Sequence, residues 1–241
     1  MANPYESPRL LDEYLLFHFG EPEDVLPWEF GPREALDFPV RTVTEFLDGG
    51  RIARGLDLGC AVGRSAFEMT RFCEEVVAVD YSENFIAAAE RLRCEGSVAF
   101  NCHEEGARYR ELTARRPEGC HPERVQFEQG DAMNLRADIG DFDLVHAANL
   151  LCRLPAPARL LERLPALVRP GGRLVLTTPC TWLREFTPPE NWPQGRTLDW
   201  LRSSLEPDFR LEIQADLPFL IRETARKYQW TAALGTMWSR S

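Results

Sequence analysis

The stretch GLDLGCAVGRSAFEMT, Gly55 to Thr70, decides the fold. A short apolar run ends in Gly59. Small residues and Gly63 follow, and then a helical pattern begins. That order reads as a strand, a tight turn and a helix. Gly59 permits backbone angles that a β-carbon penalises. Ala61 and Gly63 keep the turn low, so a ligand can lie against the backbone. The helix behind it presents free N–H groups to an anion.

Outward from the turn, strand and helix patterns alternate. "EVVAVD" is a continuous apolar strand, and Ser82 can cap the helix "SENFIAAAERLR". "RVQFEQGD" and "FDLVHAAN" read as further strands, then "PAPARLLERLPALV" as a helix and "RPGGRLVLTTP" as a turn and a strand. Short apolar strands separated by helices imply a parallel sheet covered on both faces. "TLDWLRSSL" reads as a helix. "FRLEIQADLPF" and "QWTAALGTMW" read as a hairpin-like pair that ends the sheet. Before the first strand, "SPRLLDEYLLFHFG" reads as a helix with Ser7 as cap and Pro8 in its first turn. "EPEDVLPWEFGP" reads as a loop and "RTVTEFLDGG" as a short helix. The segment Gly96 to Glu123 is longer than a direct connection needs. It enters the next strand at its amino end, which predicts a surface addition or a partner contact outside the active site.

The chain has 241 residues, 44% hydrophobic and 27% charged, which suits one large core. A formal net charge of −10 leaves no basic face for a nucleic-acid backbone. Seven scattered cysteines without a C-x-x-C pair read as reduced thiols. Cys102, His103, Cys120 and His121 are too loosely spaced for zinc, and no metal is expected. The acidic, proline-bearing start does not read as a signal peptide, and no run is long enough to span a membrane. A cytoplasmic protein is expected.

A dinucleotide fingerprint places glycines at the first, third and sixth positions of such a turn. From Gly59 these are Gly59, Ala61 and Arg64, and Arg64 crowds the last. The pattern is instead D-x-G-x-A-x-G, Asp57 to Gly63. It resembles the first motif of class I S-adenosylmethionine-dependent methyltransferases, with Ala61 in place of the middle glycine. A nicotinamide enzyme is the competing reading of the same fold. The resemblance implies a Rossmann-like, doubly wound, seven-stranded and mostly parallel sheet with an antiparallel C-terminal strand. It implies a methyltransferase domain over 51–241 and an N-terminal helical cap, or lid, over 1–50. Asp80 would accept the ribose hydroxyls and Asp131 would meet the adenine amino group. Asp57, Gly59, Ala61, Gly63, Arg64, Tyr81, Ala132, Ala147 and Asn149 complete the cofactor set.

The flanks narrow the resemblance. "YESPRLLDEYLLFHFG", "GDAMNL", "HAANLLCRL", "TPCTWLREFTP" and "LPFLIRETARKYQWT", with the glycine turn, resemble the 4-mercaptohistidine N1-methyltransferase family. That enzyme also forms the C-terminal half of ovothiol synthase. The likeness spans nearly the whole chain. It implies methyl transfer to the imidazole nitrogen of thiolated histidine, giving ovothiol A and S-adenosylhomocysteine, with the substrate supplied by a separate sulfoxide synthase. Asn149, Tyr5 and His146 are the candidates for catalysis. Tyr5, Arg153, Trp182, Arg222, Glu223 and Lys227 are the candidates for holding the substrate. A cofactor-binding partner without turnover, or a methyltransferase for another small acceptor, is the alternative.

Overall fold

The computed structural model describes residues 4–206 and 208–241. In chain order the elements are α1 (Pro8–Phe19), α2 (Pro22–Val25), α3 (Phe38–Thr44), β1 (Ile52–Leu58), α4 (Arg64–Met69), β2 (Cys73–Asp80) and α5 (Glu83–Glu95). There follow β3 (Ser97–Glu105), β4 (Arg108–Arg115), β5 (Val125–Gln129), β6 (Phe142–Ala148), α6 (Pro157–Leu167) and β7 (Val168–Thr178). The chain ends with α7 (Thr197–Leu205), β8 (Phe209–Arg222) and β9 (Tyr228–Arg240).

Seven strands form one sheet in the order β5-β2-β1-β6-β7-β9-β8. The first five are parallel, and β9 runs antiparallel between β7 and β8. This is the Rossmann-like methyltransferase architecture, and the sheet order reverses beside β1, where ligands bind in such sheets.

The continuous apolar runs follow from burial on both faces. Val76 and Ala78 of β2 pack with α1, α3, α4 and α5, whereas Val77 and Val79 pack with α6 and α7. The alternation is the two-residue period of a strand. The first fifty residues share the first of these cores through Leu15, Leu16 and Phe19. Ser7 caps α1 by accepting from the Leu10 N–H at 3.1 Å, and Gly20 ends it.

Two local expectations change. The supposed loop after Gly20 contains the short helix α2, and Asp37, in the left-handed region, starts α3 ahead of the expected Arg41. Segment 96–123 is more than a surface addition. Its strands β3 and β4 pair antiparallel, bury Val98, Phe100, Cys102 and Ala114 in the first core, and pack against α1. The hairpin reaches the β8–β9 turn, where the Ala225 N–H donates to the Glu104 carbonyl at 3.0 Å. Apolar residues at alternate hairpin positions explain this docking: once one face is greasy, it must be covered.

Candidate active site

The carboxyl ends of β1, β2, β5 and β6 lie side by side, with Leu58 opposite Val79 and Asp80 opposite Gln129. The turn after β1 takes left-handed backbone angles at Gly59 (φ 71°), Ala61 (φ 48°) and Gly63 (φ 91°). Gly63 serves packing: a β-carbon there would sit 2.7 Å from the Phe127 ring and 3.2 Å from Ala89. Ala61 has no such excuse. It is held left-handed while its N–H donates to Asp80 Oδ2 at 2.9 Å. Asp80 Oδ1 accepts the Ser82 N–H at 2.8 Å. One carboxylate therefore ties the glycine turn to the start of α5. Burial pushes its pKa up to about 6, against the pull of these backbone donors. Among the described residues no cation pairs with it. A desolvated carboxylate with lone pairs to spare suits a vicinal diol, so Asp80 fits the ribose of S-adenosylmethionine.

Beneath the turn lies a polar knot. Asp57 and His146 face each other across β1 and β6, both buried. The His146 Nδ1–H donates to Asp57 Oδ1 at 2.7 Å, and the Ser65 hydroxyl donates to Oδ2 at 2.6 Å. His146 is thus not a base at the mouth of the cleft; with 1% exposure it cannot reach an acceptor. Strand alternation turns it inward, onto the face opposite Val145 and Ala147. Asp57 likewise braces the turn from below.

The other cofactor candidates follow the sheet edge. Asp131, just past β5, accepts the Met133 N–H at 2.8 Å, with Ala132 buried beside it. Ala147 is buried within β6. Asn149 (φ 54°) follows it, and its Oδ1 accepts the Thr177 hydroxyl at 3.1 Å. The Tyr81 ring is exposed. Arg64 turns back to Glu68 at 3.2 Å and stacks on Phe19.

Ahead of α1, Tyr5 is packed and not a tail. Its ring lies 6.0 Å from Tyr14, 5.9 Å from Phe85 and 6.1 Å from Phe186, the last nearly parallel. Tyr5 is hydrogen-bonded to Tyr14 and to Arg153, and burial raises its phenol pKa. Arg153 stacks over Phe186 at 4.8 Å. The segment is pinned to α5: Ser82 Oγ donates to the Tyr5 carbonyl at 3.2 Å, and the Glu6 carboxylate accepts the Glu83 N–H at 3.0 Å. Tyr5 and Arg153, expected separately, come together. Tyr14, Phe85 and Phe186 were missed by sequence reasoning. The i, i+4 ring pair Tyr14 and His18 on α1 was the available signal, because a second aromatic face on a helix must meet something.

The remaining substrate candidates lie elsewhere. The Trp182 indole N–H donates to Thr197 Oγ1 at 3.1 Å and its ring packs edge-on to Trp200, which anchors the loop on the second core. Trp192 similarly donates to the Thr187 carbonyl. Arg222 is buried against Glu104 at 3.0 Å, and Glu223 pairs with Lys227 at 2.6 Å. Arg222 and Glu223 line a cavity of about 360 Å³ with Arg9, Asp12, Glu13 and His103. Helical spacing puts Arg9, Asp12, Glu13 and Leu16 on the opposite side of α1 from Tyr14. The β8–β9 turn therefore does not join the Tyr5 cluster.

Among the described residues no group of three or more His, Cys, Asp or Glu is placed to hold a metal ion. No helix among them is long and apolar enough to cross a membrane.

Comparison with known proteins agrees with this fold. The family described as "Methyltransferase domain" matches residues 28–239. The chain belongs to that family. A ubiquinone biosynthesis O-methyltransferase of Cupriavidus pinatubonensis is 27% identical over 182 residues, 73% of this chain and 61% of that protein. The chain thus spans about three-fifths of that relative's length. The N-methyltransferase NodS of Bradyrhizobium japonicum WM9 superposes with a TM-score of 0.55 at 15% identity, covering 84% of this chain and 93% of that one. NodS in complex with S-adenosyl-L-homocysteine gives a TM-score of 0.53 at 14% identity, over 95% and 98% of the chains.

Proposed function

We propose that this chain is an S-adenosylmethionine-dependent methyltransferase that acts on the imidazole nitrogen of 4-mercaptohistidine, giving ovothiol A and S-adenosylhomocysteine. The observation that carries the proposal is the Tyr5–Tyr14–Phe85–Phe186 cluster closed by Arg153. Aromatic faces and a guanidinium suit a flat, polar ring. The motif resemblance along nearly the whole chain supports the same acceptor. S-adenosylmethionine supplies an electrophilic methyl group carried on a sulfonium.

The protein's own contributions are position and exclusion of water. Asp80 holds the ribose hydroxyls. The α1 segment, pinned on Ser82 and Asn84, covers the carboxyl edge through Tyr5. A covered edge keeps water from competing for the methyl group. A neutral imidazole nitrogen already carries a lone pair, so the inward-facing His146 is not needed as a base. The reading implies a cytoplasmic enzyme that receives its substrate from a separate sulfoxide synthase.

The test is turnover of S-adenosylmethionine with thiolated histidine, read by product fragmentation. A product one methyl heavier on a ring nitrogen supports the reading. The names of the O-methyltransferase relatives favour a second acceptor class, a hydroxyl oxygen. Cofactor binding with turnover of hydroxyl acceptors but not of thiolated histidine replaces the first reading with that one. Binding without turnover of either acceptor makes the chain a non-catalytic module.

A further inference from the structure

Arg153 is half-buried at the mouth of the cleft and is not neutralised. Its Nη1 donates to the Cys152 carbonyl at 3.2 Å, to Cys152 Sγ at 3.2 Å and to the Thr181 carbonyl at 3.3 Å. Its other contacts are the Phe186 ring and the Tyr5 hydroxyl. All of these are neutral. Among the described residues no carboxylate lies within ion-pair distance of it. Two other arginines on the first core are paired instead: Arg222 ends on Glu104 at 3.0 Å and Arg64 on Glu68 at 3.2 Å. A partly desolvated cation without a counter-ion is costly, and an arriving anion removes that cost.

We propose that Arg153 is the specificity-determining residue of the acceptor site. It pairs with an anionic sulfur on the acceptor ring and so leaves the ring nitrogen as the nucleophile. This rests on the thiolated-histidine reading above. Sulfur is the softer and stronger nucleophile, so an unrestrained thiolate takes the methyl group itself. A charge-assisted hydrogen bond from a guanidinium lowers that nucleophilicity and fixes where the sulfur sits. Phe186 and Tyr5 hold the guanidinium plane in turn.

The step balances without a base. The acceptor enters as a thiolate with a neutral imidazole. The lone pair of the ring nitrogen forms the N–C bond, the bond between methyl and sulfonium breaks, and its electron pair stays on the departing thioether. The product is a thiolate–imidazolium of zero net ring charge, and no proton has to leave during transfer. The Arg153 charge is therefore paired both before and after the reaction.

The experiment compares wild type, Arg153→Gln and Arg153→Lys. Binding of thiolated histidine and of plain histidine is measured calorimetrically on the complex with S-adenosylhomocysteine, and products are analysed by fragmentation. In wild type, thiolated histidine is expected to bind at least about tenfold more tightly than plain histidine, the worth of one charge-assisted bond. Arg153→Gln is expected to lose that preference and to raise the share of S-methyl product, with S-adenosylmethionine affinity unchanged. Arg153→Lys keeps the charge and is expected to fall between the two. Equal affinity of wild type for both ligands overturns the proposal even if the variants do not fold. So does an unchanged ratio of N- to S-methyl product in a folded Arg153→Gln. Failure of wild type to methylate thiolated histidine at all defeats the underlying reading instead.

Discussion

The two sides of the cleft are built by different rules. On the side proposed for the cofactor, Asp57, Asp80 and His146 sit on neighbouring strands in fixed register, and backbone N–H groups or buried partners hold their side chains. The sheet itself sets that geometry. On the side proposed for the acceptor, Tyr5, Tyr14, Phe85, Arg153 and Phe186 come from four stretches far apart in the chain and meet only through ring packing and a few side-chain bonds. The docking of α1 sets that geometry. Injury to the first side therefore reaches the fold and the cofactor together. Injury to the second reaches the acceptor alone.

The largest expected effect tests the first half of that contrast. His146→Ala leaves the buried Asp57 carboxylate with Ser65 as its remaining side-chain donor and opens a void under the glycine turn. A lost partner and a cavity together cost about 3 kcal/mol. Urea unfolding is expected to show this loss, with weaker S-adenosylmethionine binding beside it. Unchanged stability breaks the claim that the knot braces the turn.

Next comes Asp80→Ala. Hydrogen bonds to a charged group contribute about 1.5–3 kcal/mol each, so cofactor affinity is expected to fall roughly tenfold or more. Titration sharpens the test. The folded pKa of Asp80 is raised to about 6, above its ordinary 3.8, so the stability this group contributes is full below that ordinary value and is lost as pH rises through about 6. Cofactor binding runs the other way, because the ionised form is the better acceptor. Between pH 5 and 7 (about one unit either side of the raised value), ligand-free stability from this group is expected to decline while cofactor affinity rises. Asp80→Ala is expected to flatten both trends. Parallel trends in the wild type would sink the assignment.

The same division explains what could be read from the sequence. The glycine turn, the strand ending in Asp80 and the alternation of strands and helices were legible because short-range pattern dictates them: apolar runs, turn residues and a capping serine. The inward turn of His146 was legible only as strand parity. The hairpin of β3 and β4 was missed because "GSVAFNCHEEGARYRELTA" mixes charge with weak alternation, and its covering partner, α1, lies far back in the chain. Arg222, Glu223 and Lys227 looked like ligands for an amino acid because a charged turn carries no record of its own ion pairs. The packing of Tyr5 was not legible in its own segment, because the rings that hold it come from segments no local pattern links.

A smaller effect tests the acceptor side. Tyr14 orients Tyr5 through a hydrogen bond and a ring contact at 6.0 Å. Tyr14→Phe keeps the ring and removes the bond, worth about 1 kcal/mol. The KM for the acceptor is expected to rise about fivefold. S-adenosylmethionine affinity and melting temperature are expected to stay put. A shift in cofactor affinity as large as the shift in KM would mean that the two sides are not independently built.

The smallest effect belongs to Ala61. An alanine at φ 48° pushes its β-carbon against the neighbouring carbonyl, at about 1–2 kcal/mol. Glycine removes that penalty but loses about 0.4–1 kcal/mol through the greater freedom of the unfolded chain. Ala61→Gly is therefore expected to stabilise the protein slightly, by roughly 0.5 kcal/mol. The N–H that meets Asp80 at 2.9 Å is backbone and survives the change, so cofactor affinity is expected to hold. Denaturant midpoints of the two proteins, measured with and without S-adenosylhomocysteine, separate the possibilities. If the variant is less stable only when ligand is absent, alanine was holding the turn ready for the cofactor, and the strain is part of the site. If it is more stable in both states, the strain is tolerated because the sheet on either side leaves the turn nowhere else to go.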